Sequence, residues 1–142
     1  MPAIALIDTG AILALVDRSD QWHSVCVEAY EQTRLPLLTT EAVLTELFHL
    51  TYRELGDFKS VWRLVRSGAI EMLSIENNEL RDIHGLMEDY ADHPMDFADA
   101  TLVHVAARES INVILTIDYA DFETYRIAGR KRFTILPHRT NR

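Results

Sequence analysis

Short apolar runs alternate with stretches of helical periodicity along the whole chain, and this alternation limits the fold more than any other feature. The run Ala3-Ile4-Ala5-Leu6-Ile7 is too short for a stable helix and shows no polar alternation. It ends at Asp8-Thr9-Gly10, so it reads as a strand buried on both faces and followed by a turn. Further strands are expected briefly at Leu37-Leu38 after Pro36, and over 70–75, 113–117 and 133–136. Between them, residues 11–16 form a short helical turn. Trp22, Val25, Cys26, Ala29 and Tyr30 recur at helical spacing after a cap at Ser19 or Asp20. Val43, Leu47 and Leu50 follow a cap at Thr39 or Thr40. Phe58, Val61, Trp62 and Val65 lead to Gly68. Leu80, Ile83, Met87 and Tyr90 follow Asn77 or Asn78. Asp92-His93-Pro94 is a loop, and Asp96 opens a helix through Ala98, Leu102, Val105 and Ala106. Residues 119–130 fit either a short helix or an ordered loop. Strands alternating with helices imply an α/β fold with a mostly parallel central sheet flanked by helices. No repeat, low-complexity stretch or linker interrupts the 142 residues, so one domain spanning 1–142 is expected.

Charge narrows the class. The chain holds 22 acidic against 14 basic residues, a formal net charge of −8, which weighs against a simple nucleic-acid binder. The distribution is uneven, because residues 126–142 contain six basic groups and no acid. A single cysteine, Cys26, excludes an internal disulfide and a Cys-cluster zinc site. No apolar run approaches a membrane span, and Asp8 interrupts the N-terminal apolar stretch, so neither an anchor nor a signal peptide is expected and a cytoplasmic location is the default.

The chemistry-bearing pattern is a set of acids at strand ends and helix starts. Asp8 follows the first strand, and Asp118 follows the strand at 113–117. In parallel sheets, ligands bind beyond the carboxyl ends of the strands. Glu46 lies roughly 60° around its helix from Val43, at the border of the apolar face. Asp96 and Asp99 share one helix face at i, i+3. Carboxylates held together must take up a proton or a cation. Oxygen ligands suit Mg²⁺ or Mn²⁺, which can activate water and offset charge on a phosphoryl group. Each acid also has a plainer role open to it. Asp8 can be a turn residue, Asp96 and Asp99 a helix cap with its partner, Glu46 a solvated helix residue, and Asp118 the start of a turn. The six histidines form no i, i+3 or i+4 pair, there is no glycine-rich phosphate loop or G-x-S-x-G elbow, and Cys26 lies among apolar neighbours.

Four pieces in register resemble the PIN-domain ribonucleases, specifically the VapC-type toxins of toxin–antitoxin pairs. They are Ala5-Leu6-Ile7-Asp8-Thr9-Gly10, Thr39-Thr40-Glu41-Ala42-Val43-Leu44-Thr45-Glu46, Met95-Asp96-Phe97-Ala98-Asp99-Ala100, and Leu115-Thr116-Ile117-Asp118 followed by Asp121-Phe122. The resemblance implies a single PIN-like domain with a metal site built from Asp8, Glu46, Asp99 and Asp118. Asp96 is then a cap, a supporting group or an additional ligand, and Thr9 and Thr116 orient carboxylates or water. It also implies Mg²⁺ or Mn²⁺ as cofactor, RNA as substrate, a small antitoxin as partner and pairing into a homodimer. Alternatives are a PIN nuclease of RNA maturation and a catalytically silent PIN-fold binding module, although a silent copy has no reason to keep four mutually repelling acids. A receiver domain would need an adjacent acidic pair after the first strand, and a haloacid-dehalogenase phosphatase an Asp at position 10, where Gly10 stands. The basic end, with Arg130, Lys131 and Arg132 foremost, is a weak candidate for gripping RNA phosphates; a solvated basic end is the plainer reading.

Overall fold

A computed structural model describes residues 3–139. Five strands, β1 (Ala3–Ile7), β2 (Thr33–Thr40), β3 (Ile70–Leu73), β4 (Val113–Leu115) and β5 (Thr134–Leu136), form one parallel sheet in the order β3-β2-β1-β4-β5. Parallel neighbours need long crossovers. Helices supply them: α1 (Thr9–Val16), α2 (His23–Glu31), α3 (Glu41–Leu55), α4 (Lys59–Arg66), α5 (Leu80–Asp89), α6 (Phe97–Glu109) and α7 (Tyr119–Thr124). The central β1 is covered on both faces, which is why its sequence is apolar without alternation. Leu6, Ile7, Ile114 and Leu115 are fully buried, a gain of about 2 kcal/mol per side chain.

The observed elements correct several expected boundaries. Strand β2 runs eight residues, through Pro36 and well beyond Leu37-Leu38. Its pairing with β1 slips between Ile4 and Leu6, whose partners are Arg34 and Leu38. Leu35 and Pro36 occupy this bulge, where a missing N–H breaks no ladder. Neither Ser19 nor Asp20 caps α2. The cap is Trp22, with no side-chain bond of its own, and Asp20 instead accepts from the Trp22 N–H at 2.8 Å. A 3₁₀ turn at Asn77–Glu79 precedes α5, with Glu76 and Glu79 forming a reciprocal capping box in place of an asparagine cap. β3 stops at Leu73 and β4 at Leu115, each two residues earlier than the apolar pattern suggests.

The caps expected at Thr40 and Asp96 are present, and together with Asp8, for which no cap was expected, they position the site. Thr40 accepts from the Val43 N–H at the start of α3, Asp96 from the Asp99 N–H at the start of α6, and Asp8 caps α1. All three helix starts face the carboxyl edge of the sheet. A buried hydroxyl pair, Thr40 to Thr101 at 2.8 Å, fastens the end of β2 to α6. Gly10 permits the closest approach there, since a Cβ would stand 3.1 Å from the Ile117 side chain. The loop that carries Asp118 is thereby pressed against α1.

Candidate active site

β1 and β4 are neighbours, so their carboxyl ends bring Asp8 and Thr116 together. The Asp8 carboxylate accepts from the Thr9 N–H at 2.8 Å and from the Thr116 hydroxyl at 3.1 Å. The same Thr116 oxygen accepts from the Asp118 N–H at 3.0 Å. One threonine therefore ties the residue after β1 to the loop after β4. Asp99, in the first turn of α6, is buried beside them and accepts from the Tyr125 hydroxyl at 2.9 Å. Asp118 and Asp121 bracket the first turn of α7. A carboxylate oxygen from each of Asp99, Asp118 and Asp121 can lie within 4.8 Å of the others.

The electrostatics are those of a site short of positive charge. Burial pushes Asp99 up to about 8, and Asp8, Asp96 and Asp121 add repulsion against the single donor Tyr125. Burial pushes Asp8 up to about 7, against the pull of Thr9 and Thr116, and Glu46 and Asp118 raise it further. Asp118 rises to about 6, through burial first and then the Asp121 carboxyl beside it. Tyr125 is driven upward by its own burial and by Asp99, so its hydroxyl stays protonated and donates.

Of the residues expected from the sequence, Asp8, Asp99 and Asp118 converge. Glu46 is half-buried on α3, near enough for its charge to act on Asp8. Asp96 is the cap of α6 and adds its charge to Asp99. Glu46 and Asp96 both line a groove of about 790 Å³ between α3 and α6, floored by Leu73 and Ile75. Thr9 corrects the expectation. Its hydroxyl donates to the Val43 carbonyl at 3.3 Å, fastening α1 to α3, and only its backbone N–H orients Asp8.

Three contributors carried no expected role: Asp121, Tyr125 and His93. The one signal for Asp121 is its i, i+3 spacing to Asp118, which sets both on one side only if the segment is read as a helical turn. Tyr125 and His93 arrive through tertiary packing and leave no local sequence signal.

The sequence of residues 5–128 matches the family model of the PIN domain. The chain belongs to the PIN-domain family. It is 31% identical over 134 residues to ribonuclease VapC26 of Mycobacterium tuberculosis, an alignment covering 93% of this chain and 99% of that one. The solved structure of VapC20 from Mycobacterium tuberculosis, a toxin that cleaves the sarcin–ricin loop, superposes with a TM-score of 0.72 at 18% identity. That match covers 82% of this chain and 93% of the other. β5 lies beyond the residues matched by the PIN model, yet it pairs with β4, so the sheet of this PIN domain extends to Leu136.

The donor set of this PIN domain suits a hard divalent cation. It offers carboxylate oxygens only, with no sulfur and no imidazole in the closest group, and their mutual repulsion is relieved by positive charge. The basic loop sits elsewhere. Arg130, Lys131 and Arg132 precede β5, at the edge of the sheet opposite the carboxylates, around a tight turn closed by the Ile127–Lys131 bridge. Arg126 spends its guanidinium on the carbonyls of Glu123, Thr124 and Tyr125. Arg139, which follows β5, pairs with Glu123 at 3.1 Å. Arg142 lies outside the described residues.

Proposed function

We propose that the chain is a metal-dependent endoribonuclease of the VapC type, the toxin of a toxin–antitoxin pair. Asp8, Asp99, Asp118 and Asp121 hold Mg²⁺ or Mn²⁺, with Glu46 at the margin as a further ligand or base. The observation that carries this reading is the approach of Asp99, Asp118 and Asp121 at the carboxyl edge of a PIN sheet. When bound, such a cation activates water and offsets the charge that develops on the phosphoryl oxygens.

The protein's own groups prepare that chemistry. The Thr116 hydroxyl and the Thr9 N–H hold both Asp8 oxygens, and the Tyr125 hydroxyl holds Asp99. Supporting bonds of this kind fix the direction from which a carboxylate meets a cation. Glu46 stands free of such bonds among the described residues, which leaves its carboxylate able to take a proton from attacking water. RNA lies across the acidic edge, and an enzyme that cuts cellular RNA works in the cytoplasm. No helix among the described residues is long and apolar enough to cross a membrane.

A protein partner has apolar surface to meet. Tyr52, Phe58 and Trp62 stand exposed where α3 meets α4, Phe58 and Trp62 packed on Phe48 and Tyr52 on Phe58. Exposed aromatic clusters of this kind mark interaction surfaces, and an antitoxin or a second copy of the chain would cover it. The test is cleavage of cellular RNA by the purified protein with Mn²⁺ or Mg²⁺. Cutting should require the ion, stop with a chelator and be abolished in Asp118→Asn. Sequencing of the new 5′ ends identifies the substrate. Ion-independent cutting, or full activity in the variant, overturns the reading.

A further inference from the structure

We propose that His93 is a positioning residue for the metal site, holding the Asp121 carboxylate in the orientation from which it joins Asp99 and Asp118. His93 lies in the turn between α5 and α6, far in sequence from α7, yet its Nε2 is 2.7 Å from Asp121 Oδ1. An ionised carboxylate only accepts, so Nε2 carries the proton. The ring itself is well placed. It stands edge-on to Tyr125, with centroids 6.0 Å apart and planes at 84°. The His93 backbone N–H donates to the Tyr90 carbonyl at 3.0 Å, and the Tyr90 ring packs on Tyr125 in turn. One aromatic layer thus presents two donors to the acidic group, the Tyr125 hydroxyl to Asp99 and the His93 imidazole to Asp121.

Asp121 needs such a partner more than its neighbours do. It sits in the first turn of a six-residue helix and is only half-buried. Repulsion from Asp99 and Asp118 favours its rotation toward solvent. The imidazole opposes that rotation by engaging Oδ1, and the other oxygen remains for a cation. Groups that orient ligands in this way affect metal affinity more than they affect the fold.

The inference rests on the acidic group being a metal site, and the experiment separates the two. Mn²⁺ is titrated calorimetrically into the purified full chain, the His93→Ala variant and the His93→Gln variant, with melting of each metal-free protein alongside. His93→Ala should weaken Mn²⁺ binding about 10-fold while the metal-free melting temperature holds. His93→Gln, whose amide nitrogen can donate from near the same place, should recover most of the loss. If the unaltered chain takes up no Mn²⁺, the metal-site reading itself fails. If it binds and His93→Ala binds equally well, the positioning role alone is overturned. Equal weakening in His93→Ala and His93→Gln also overturns it, because the loss would then come from ring packing and not from the donor.

Discussion

Helix α6 carries two carboxylate environments of opposite kind. Asp99 lies in its first turn, and Glu79 of the preceding 3₁₀ turn lies against its second half. Glu79 meets the Glu76 N–H at 2.7 Å, His104 at 2.8 Å and Arg108 at 2.7 Å. Those donors, the backbone bond foremost, hold its carboxyl down to about 2. Asp99 is buried among other acids and is pushed up to about 8. Folding has supplied Glu79 with a backbone amide, an imidazole and a guanidinium, and among the described residues no Lys or Arg pairs with Asp99. The first arrangement stabilises the fold. The second leaves a local deficit of positive charge that the fold does not fill, and it is there that we propose the cation binds.

Asp99→Asn breaks the comparison hardest. RNA cleavage should be abolished while the metal-free fold gains stability. The sign follows from linkage. An acid whose pKa is higher in the folded than in the unfolded state retains its proton on folding, so stability falls as pH rises between the two values. For Asp99 that window runs from the ordinary 3.8 to about 8. The asparagine removes this dependence. The metal-free variant should therefore melt above the parent at pH 8, by on the order of 1 kcal/mol or about 4 °C, and level with it near pH 4. Thermal melts at the two pH values check this, and a lower melting point at pH 8 would contradict it. The same carboxyls make protons compete with the cation. At limiting Mn²⁺, cleavage by the parent should climb between pH 6 and pH 8, as the interacting carboxyls of Asp118, Asp8 and Asp99 shed their protons as a group.

Glu79→Gln is the converse change. It takes the carboxylate from His104 and one of two from Arg108, which keeps Glu109 at 2.7 Å, while touching nothing at the carboxyl edge. Melting temperature should fall at pH 7, and cleavage at a temperature where the variant is folded should match the parent. Here the folded pKa is depressed, so the stabilising contribution is complete above the ordinary 4.5 and disappears as pH falls toward about 2. The gap between variant and parent should close over that range in acid melts. A variant that lost activity in proportion to Asp99→Asn would erase the distinction between the two ends of α6.

The two ends also differ in how far the sequence discloses them. Asp8 and Asp118 are legible because each terminates an apolar strand, and strand ends in parallel sheets have one place to go. Asp96 is legible as a cap, and Asp99 as its partner three residues on. Asp121 is hidden because residues 119–130 lack enough periodicity to distinguish helix from loop, and the i, i+3 relation to Asp118 exists only once α7 forms. His93 and Tyr125 are hidden for a deeper reason. Their polar atoms meet the acids through long-range packing, and sequence spacing carries no record of that. Strand β2 is misjudged on local grounds. Pro36 reads as a breaker, and only the paired strand shows that it falls in a bulge. The Glu79 network is likewise illegible, since its partners lie 25 and 29 residues away.

The smallest expected effect concerns the basic loop, and it tests whether the carboxyl edge acts alone. Arg130, Lys131 and Arg132 are exposed and stand before β5, so they cannot touch a phosphate held at Asp99. An RNA long enough to pass round the sheet could reach them; a short one could not. Replacing all three with alanine should therefore leave cleavage of a short RNA unchanged. It should lower the salt dependence of binding a long RNA by up to about 3 in the slope of log K against log salt concentration. Binding isotherms at a series of salt concentrations measure that slope. An unchanged slope assigns the loop to solvent. Lost cleavage of the short RNA would mean that the two edges of the sheet are coupled, against the separation that the strand directions impose.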